Sequence, residues 1–123
     1  MKLAHVTIMV KNLEESLDFY QKIVGLPITD RLQTGPDQEI VFLGEGETLI
    51  ELIYNKNLEK LYIGQDISIG FSVDNLDKTM EFINNNGLEL LTEVIQPNEM
   101  TRFFFILDPN GLKVQFIEQK NKV

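Results

Sequence analysis

The chain has 123 residues, of which 43% are hydrophobic, and this is enough for one domain with a buried core. It carries 19 acidic and 11 basic residues, a formal net charge of −8, so we expect neither a nucleic acid nor an anionic membrane as its partner. The absence of cysteine excludes disulfides, thiolate nucleophiles and cysteine-ligated metals. No segment is typical of a signal peptide or a membrane helix, so we expect a cytoplasmic protein. A single histidine, His5, must carry any histidine-dependent chemistry of one chain.

The sequence contains an internal repeat. Residues 5–20 align with residues 68–83 at an offset of 63, and the glycines at 25 and 87 continue the alignment at an offset of 62. Near the end of each half, residues 48–53 align with residues 112–117 at an offset of 64. A register that drifts so little favours a true repeat over chance. We therefore predict a single domain over residues 1–123, built of repeats 1–56 and 66–123.

Both repeats predict the same order of elements: a strand, a helix and three further strands. Asn12 and Asn75 are typical N-caps of the two helices, and Gly25 and Gly87 are typical of their C-terminal ends. Hydrophobic patterning and turn residues predict the strands at residues 4–10, 27–33, 39–43, 48–54, 67–73, 88–96, 102–107 and 113–118. The predicted fold class is α+β, with two tandem βαβββ modules forming a curved mixed sheet around a cleft.

In this sequence a histidine begins the first strand, and a carboxylate lies on the last strand of the first unit. Paired βαβββ units with these two features resemble the vicinal oxygen chelate superfamily. Within that superfamily, the sequence is most similar to bacterial glyoxalase I, lactoylglutathione lyase. The segments that carry the resemblance are residues 5–10, 16–20, 49–55, 72–75 and 108–113. Because the superfamily includes lyases, epimerases, dioxygenases and drug-binding resistance proteins, the resemblance indicates the fold more closely than the reaction.

The resemblance implies a site for one divalent ion (Ni, Co or Zn), held by two side chains from each unit. The four positions here are His5, Glu51, Ser68 and Gln115. The repeat alignment pairs His5 with Ser68 and Glu51 with Gln115. His5 and Glu51 are good metal ligands. Ser68 offers only a neutral hydroxyl where glyoxalase I has histidine, and Gln115 offers an amide where it has glutamate. We expect the metal to be bound weakly or not at all.

The resemblance also implies a proton transfer between adjacent carbons, with a carboxylate base at the position of Gln115. An amide does not accept a proton at neutral pH, so Glu51 is the remaining candidate for a catalytic base. Its neighbours Ile50 and Leu52 occupy the opposite face of the strand, which favours Glu51 facing the cleft. Met9 stands where the bacterial lyase has an arginine for the glutathione carboxylates, and a thioether cannot bind them.

Two functions therefore remain open. The first is a divergent glyoxalase I-like lyase or isomerase with a degenerate metal site and a small oxygen-rich substrate. The second is a metal-free small-molecule-binding protein of the bleomycin-resistance type. The predicted ligand-binding residues of the cleft are Met9, Ser68, Ser72 and Arg102, together with the four metal positions. Arg102, like Arg31, contacts an anionic ligand or is merely solvated. We expect a homodimer, and the site is built either within one chain or across that dimer.

Overall fold

A computed structural model describes residues 1–120, so the last three residues of the predicted domain and of its second repeat lie outside the described part. The chain divides into two compact units, Met1–Tyr62 and a second that begins at Ile63. This boundary falls inside residues 57–65, the predicted connection between the repeats. The α+β class and the two βαβββ modules are confirmed. Within the described residues the strands form two four-stranded mixed sheets, one in each module, in place of the predicted single curved sheet. No helix within residues 1–120 has both the length and the apolar character needed to cross a bilayer.

The two modules share one topology. The first module consists of β1 (His5–Met9), α1 (Leu13–Asp18), β2 (Ile28–Gln33), β3 (Gln38–Leu43) and β4 (Leu49–Asn55). The second consists of β5 (Ser68–Ser72), α2 (Leu76–Asn85), β6 (Ile95–Asn98), β7 (Thr101–Leu107) and β8 (Lys113–Gln119). The strand orders are β1-β4-β3-β2 and β5-β8-β7-β6, with the first pair of each sheet parallel and the others antiparallel.

Each module has one sheet face covered by its helix, and we call the opposite side the far face. Helix α1 packs on β4 and helix α2 packs on β8. The helix faces carry the buried apolar side chains, each of which contributes about 1.5–3 kcal/mol relative to exposure. These include Ile8, Val10, Val41, Leu43, Ile50 and Leu52 in the first module and Phe104, Ile106, Val114 and Phe116 in the second. Alternation along the strands then sends the predicted site residues His5, Glu51, Ser68 and Gln115 to the far faces.

The ends of both helices are capped as predicted. The side-chain oxygen of Asn12 accepts a hydrogen bond from the Glu15 amide at 3.0 Å, and that of Asn75 accepts one from the Lys78 amide at 3.0 Å. Each bond satisfies an amide in the first helical turn that has no partner within the helix. The C-terminal ends lie near glycines with left-handed φ angles, 85° at residue 25 and 76° at residue 87.

A π-helical turn, Phe19–Ile23, follows α1 and has no counterpart in α2. In both modules the amide after the C-terminal glycine donates back to the helix: Leu26 to the Tyr20 carbonyl at 2.9 Å, and Leu88 to the Ile83 carbonyl at 3.2 Å. Tyr20 and Ile83 are repeat counterparts, yet the bond spans six residues in the first module and five in the second. The π turn therefore accommodates one extra residue, which accounts for the change of repeat offset from 63 to 62.

The predicted strand over residues 88–96 is wrong, whereas the other seven predicted strands agree with the structure within one residue at each end. Only residues 95–98 form β6, and residues 88–94 are irregular. The leucines that favoured a strand have a different role, because they border an open pocket of about 330 Å³ with Leu107. Two hydrogen bonds attach this segment to β7: the Leu91 amide donates to the Phe105 carbonyl at 2.7 Å, and the Phe105 amide donates to the Thr92 hydroxyl at 3.4 Å.

Candidate functional site

His5 and Glu51 come together on the far face of the first module. They belong to the parallel neighbours β1 and β4, and the His5 Nε2 atom lies 3.5 Å from the Glu51 Oε1 atom. The side chain of Glu51 is 12% exposed and that of His5 is 43% exposed. Ile50 and Leu52 are buried on the helix face, so the predicted alternation around Glu51 is confirmed. A nitrogen and an oxygen at this separation can bind one divalent ion at about 2.0–2.2 Å from each.

Two further residues lie beside this pair, and neither was predicted from the sequence. The Thr7 hydroxyl donates a hydrogen bond to Glu51 Oε1, and Thr7 is the register partner of Glu51 on β1. The Phe42 ring meets the imidazole of His5 edge-on, with ring centroids 5.7 Å apart. Phe42 is the register partner of Glu51 on β3. Thr7 could have been found from its place two residues after His5, which puts both on one face.

Met9 continues the same face of β1. It follows Thr7 by two residues, pairs in register with Ile53 and is half-buried. Its thioether brings an apolar, uncharged group to the strand that carries His5. Together with Phe42 and Ile53, it gives the His5–Glu51 pair largely apolar surroundings on this sheet.

The corresponding residues of the second module are neutral. Gln115 is the register partner of Gly70, and a Cβ atom built on Gly70 would lie 2.7 Å from the Gln115 Oε1 atom. The amide of Gln115 therefore lies directly against the backbone of β5. Ser68 and Ser72 flank Gly70 at two residues on either side and are exposed. The far face of β5 thus presents two hydroxyls and a glycine, with no charge.

Arg102 lies on the other side of the second sheet from Gln115. Its guanidinium is 3.2 Å from Asp77 and 3.4 Å from Glu118, and hydrogen bonding to Asp77 raises the pKa of Arg102 above its ordinary value. Glu118 also accepts a hydrogen bond from the Leu76 amide at the start of α2, which places this cluster on the helix face. The structure therefore does not bring Arg102 together with Gln115.

Arg31 has an equivalent arrangement in the first module. It contacts Glu39 on β3 and lies 2.8 Å from Glu14 in the first turn of α1, and the hydrogen bonds to these carboxylates raise its pKa. Glu14 and Asp77 are counterparts at the repeat offset of 63. Arg31 and Arg102 are the two arginines of the chain, and each joins a helix to its own sheet.

The donor set fits a divalent ion only in part. Within residues 1–120, no group of three or more histidine, aspartate or glutamate side chains is placed to hold a metal ion. His5 and Glu51 supply an imidazole and one negative charge. Ser68 and Gln115 supply neutral oxygens, which do not offset the charge of a dication. The first module therefore offers two strong ligands, and the second offers weak ones.

Two βαβββ modules of identical strand order, with a histidine and a carboxylate on the far face of the first, define a glyoxalase-like α+β protein. The family model of the Glyoxalase/Bleomycin resistance protein/Dioxygenase superfamily matches residues 2–116. The chain therefore belongs to this superfamily.

Individual relatives agree with this assignment. The chain is 33% identical to lactoylglutathione lyase of Escherichia coli O157:H7, an alignment that covers 98% of this chain and 95% of the relative. It is 30% identical to lactoylglutathione lyase of Neisseria meningitidis serogroup A, with 98% and 93% covered. Among solved structures, the trypanothione-dependent glyoxalase I of Leishmania major superimposes with a TM-score of 0.82 at 22% identity, covering 96% of this chain and 86% of that one.

Proposed function

We propose that the chain, as one functional domain over residues 1–123, is a glyoxalase I-like lyase or isomerase that acts on a small oxygen-rich substrate through a weakened divalent-metal site. The observation that carries this proposal is the 3.5 Å separation of the His5 imidazole and the Glu51 carboxylate on one sheet face. Relatives named lactoylglutathione lyase, at 30–33% identity over nearly the whole chain, support the reaction class. The cytoplasmic location and the homodimer remain predictions.

His5 and Glu51 would hold the ion in this proposal. Gln115, and Ser68 at the fourth position, would complete the ligand set from a second module, either of the same chain or of a partner copy. A bound Ni²⁺, Co²⁺ or Zn²⁺ ion would act as a Lewis acid toward a substrate oxygen. Since Glu51 is the one anionic ligand of the four, we expect weaker binding than a site with two carboxylates would give.

Glu51 is also the proposed proton acceptor. A carboxylate can take a proton from a carbon next to a carbonyl group, which the amide of Gln115 cannot do at neutral pH. Both contacts of Glu51 within the described residues involve Oε1, so Oε2 is the oxygen proposed to receive the proton. A residue that is both ligand and base is a weaker base than a free carboxylate, so we expect slow turnover.

The substrate is proposed to be neutral or cationic and not a glutathione adduct. Met9 is apolar, and both arginines are bound to carboxylates on the helix faces. A net charge of −8 opposes the approach of an anionic tripeptide conjugate. The apolar side chains of Met9, Phe42 and Ile53 suit an apolar substituent beside the reacting oxygens.

Calorimetric titration of the purified protein with Ni²⁺, Co²⁺ and Zn²⁺ tests the proposal. For this weakened site we expect a dissociation constant in the micromolar range, and we expect binding to be lost in His5→Ala and in Glu51→Ala. Glu47→Ala is the matched control, because Glu47 is an exposed carboxylate in the turn before β4 and pairs only loosely with Lys2, at 3.7 Å. Metal binding that is absent, or that is equal in all four proteins, contradicts the proposal.

An activity assay accompanies the titration. The metal-loaded protein is offered the hemithioacetal of methylglyoxal and glutathione, and also methylglyoxal alone. We expect at most slow turnover of the glutathione adduct. Fast turnover of the adduct would contradict the proposed substrate class, although it would leave the metal site intact.

A metal-free small-molecule-binding protein is the second candidate, and the neutral far face of β5 favours it. The Gln115 amide against Gly70 and the exposed Ser68 and Ser72 hydroxyls are hydrogen-bonding groups for a neutral or cationic ligand. The test is a thermal-shift titration in EDTA with metal-free bleomycin as a cationic probe. Stabilisation that persists in EDTA and in His5→Ala supports this candidate, and its absence removes the bleomycin-type version.

A further inference from the structure

The Glu51 carboxylate is held by two side chains of the same strand. Thr7 and His5 lie two residues apart on β1, and their far-face side chains both reach Glu51 Oε1: the Thr7 hydroxyl as a hydrogen-bond donor and the His5 Nε2 atom at 3.5 Å. Thr7 is also in register with Glu51 across the parallel β1–β4 pair. The hydroxyl is therefore hydrogen-bonded to the same oxygen atom that the imidazole approaches.

The second module lacks this arrangement at the equivalent place. The repeat counterpart of Thr7 is Gly70, which is in register with Gln115 just as Thr7 is with Glu51. Gly70 offers no donor, and the Gln115 amide occupies the space that a Cβ atom would need. The two sheets share one topology, so the fold itself does not require a hydroxyl at this position. The hydroxyl is present in the module that carries the anionic ligand.

We propose that Thr7 is a positioning residue, which orients the Glu51 carboxylate beside His5 so that both can bind one divalent ion. This inference rests on the proposed function. A hydrogen bond from a hydroxyl to a carboxylate is charge-assisted, and it restricts a side chain that otherwise samples several rotamers. Groups that orient a metal ligand in this way typically change metal affinity by 10–100-fold when they are removed. Thr7 touches neither the ion nor the substrate in this role.

Calorimetric titration with Ni²⁺ of Thr7→Val and Thr7→Ser tests the proposal. Valine keeps the shape and the β-branch of threonine but removes the donor, whereas serine keeps the donor. We expect Thr7→Val to weaken Ni²⁺ binding about tenfold and Thr7→Ser to stay within about twofold of the native protein. The visible absorption spectrum of the Co²⁺-loaded protein should change in Thr7→Val and be restored in Thr7→Ser, which a general loss of stability would not produce.

A urea-unfolding cycle on the metal-free protein provides a second readout, which does not depend on metal binding. Thr7→Val should lower the urea midpoint in the native background and leave it unchanged in the Glu51→Ala background. Equal effects in the two backgrounds overturn the inference. Ni²⁺ affinity that is lost in His5→Ala and Glu51→Ala but unchanged in Thr7→Val also overturns it, while the proposed function stands. If the native protein binds no metal, the proposed function fails, and the urea cycle alone decides whether Thr7 fixes Glu51.

Discussion

Glu118 connects the second sheet to its helix through a single carboxylate. Its Oε2 atom accepts a hydrogen bond from the Leu76 amide at 2.7 Å, and its Oε1 atom lies 3.4 Å from Arg102. The hydrogen bond from the backbone, and then the charge of Arg102, lower the pKa of Glu118 below its ordinary value despite its burial. At the repeat offset of 64, the first module has Tyr54 in this place, so this attachment belongs to α2 alone.

Glu118→Gln should therefore lower the thermal midpoint in a pH-dependent way. A carboxyl group whose pKa is depressed by folding contributes stability above its unfolded pKa, and this contribution is lost as pH falls through the folded value. The midpoint difference between the native protein and Glu118→Gln should be largest at pH 7 and shrink between about pH 5 and pH 3. Glu99→Gln, at the exposed turn between β6 and β7, is the control and should show little difference at either pH. A difference that is constant with pH would contradict this account.

The π turn Phe19–Ile23 predicts that the two helices respond differently to the deletion of one residue. Removing Gln21 takes out the one residue by which the first module exceeds the second, so the turn should revert to a regular helix. Removing its counterpart Asn84 from α2 leaves that helix one residue short, and every later residue before Gly87 is rotated by about 100°. Both deleted residues are exposed, so neither deletion removes core volume.

We expect the Gln21 deletion to keep the thermal midpoint within a few degrees of the native value. The Asn84 deletion should cost about 2–3 kcal/mol, which corresponds to a fall of about 10 °C for a chain of this size. Circular dichroism melting of the two variants measures both. If the two deletions lower the thermal midpoint equally, the π turn does not serve to accommodate one extra residue.

Most of the fold was predictable because each element carries a local signal. Asn12 and Asn75 cap helices, alternating β-branched residues form strands, and the repeat supplies each prediction twice. The strand predicted over residues 88–96 failed because the leucines at its start are apolar without forming a strand ladder. These leucines line a pocket together with Leu107, and no local sequence pattern predicts this tertiary arrangement. The π turn was likewise visible only as an unexplained change of offset.

We expect the neutral residues of the second module, Ser68 and Gln115, to limit metal affinity. Restoring the ligands of the family with Ser68→His and Gln115→Glu together should raise Ni²⁺ affinity at least tenfold, about 1.4 kcal/mol. The control variant combines Ser72→His with Gln115→Glu, so that the added histidine lies on the same face of β5 at a different position. Calorimetric titration of the two double variants measures the effect. A similar gain in both would indicate surface binding by the added histidine.

The candidate site was only half predictable from the sequence. The His5–Glu51 pair follows from the repeat and the family pattern, because both residues lie at fixed positions on neighbouring strands. The spacing from His5 puts Thr7 on the same strand face, but the pairing of Thr7 and Phe42 with Glu51 depends on strand register, which the sequence does not state. Arg102 was expected to line the cleft. Which face of the sheet its side chain occupies depends on the register of β7 with β8, and the pairing of Arg102 with Glu118 places it on the helix face.

The position of β1 within its sheet has a consequence for how occupancy and order are linked. In the order β1-β4-β3-β2, β1 is terminal, as β2 is, and has one neighbour within its sheet, so backbone pairing holds it from one side only. An ion shared by His5 and Glu51 would fasten β1 to β4 through side chains as well as through the backbone ladder. Binding of the ion by His5 and Glu51 would then stabilise β1, and loss of the ion would destabilise it. A copy without the ion would expose β1 to proteases more readily than a copy that holds it.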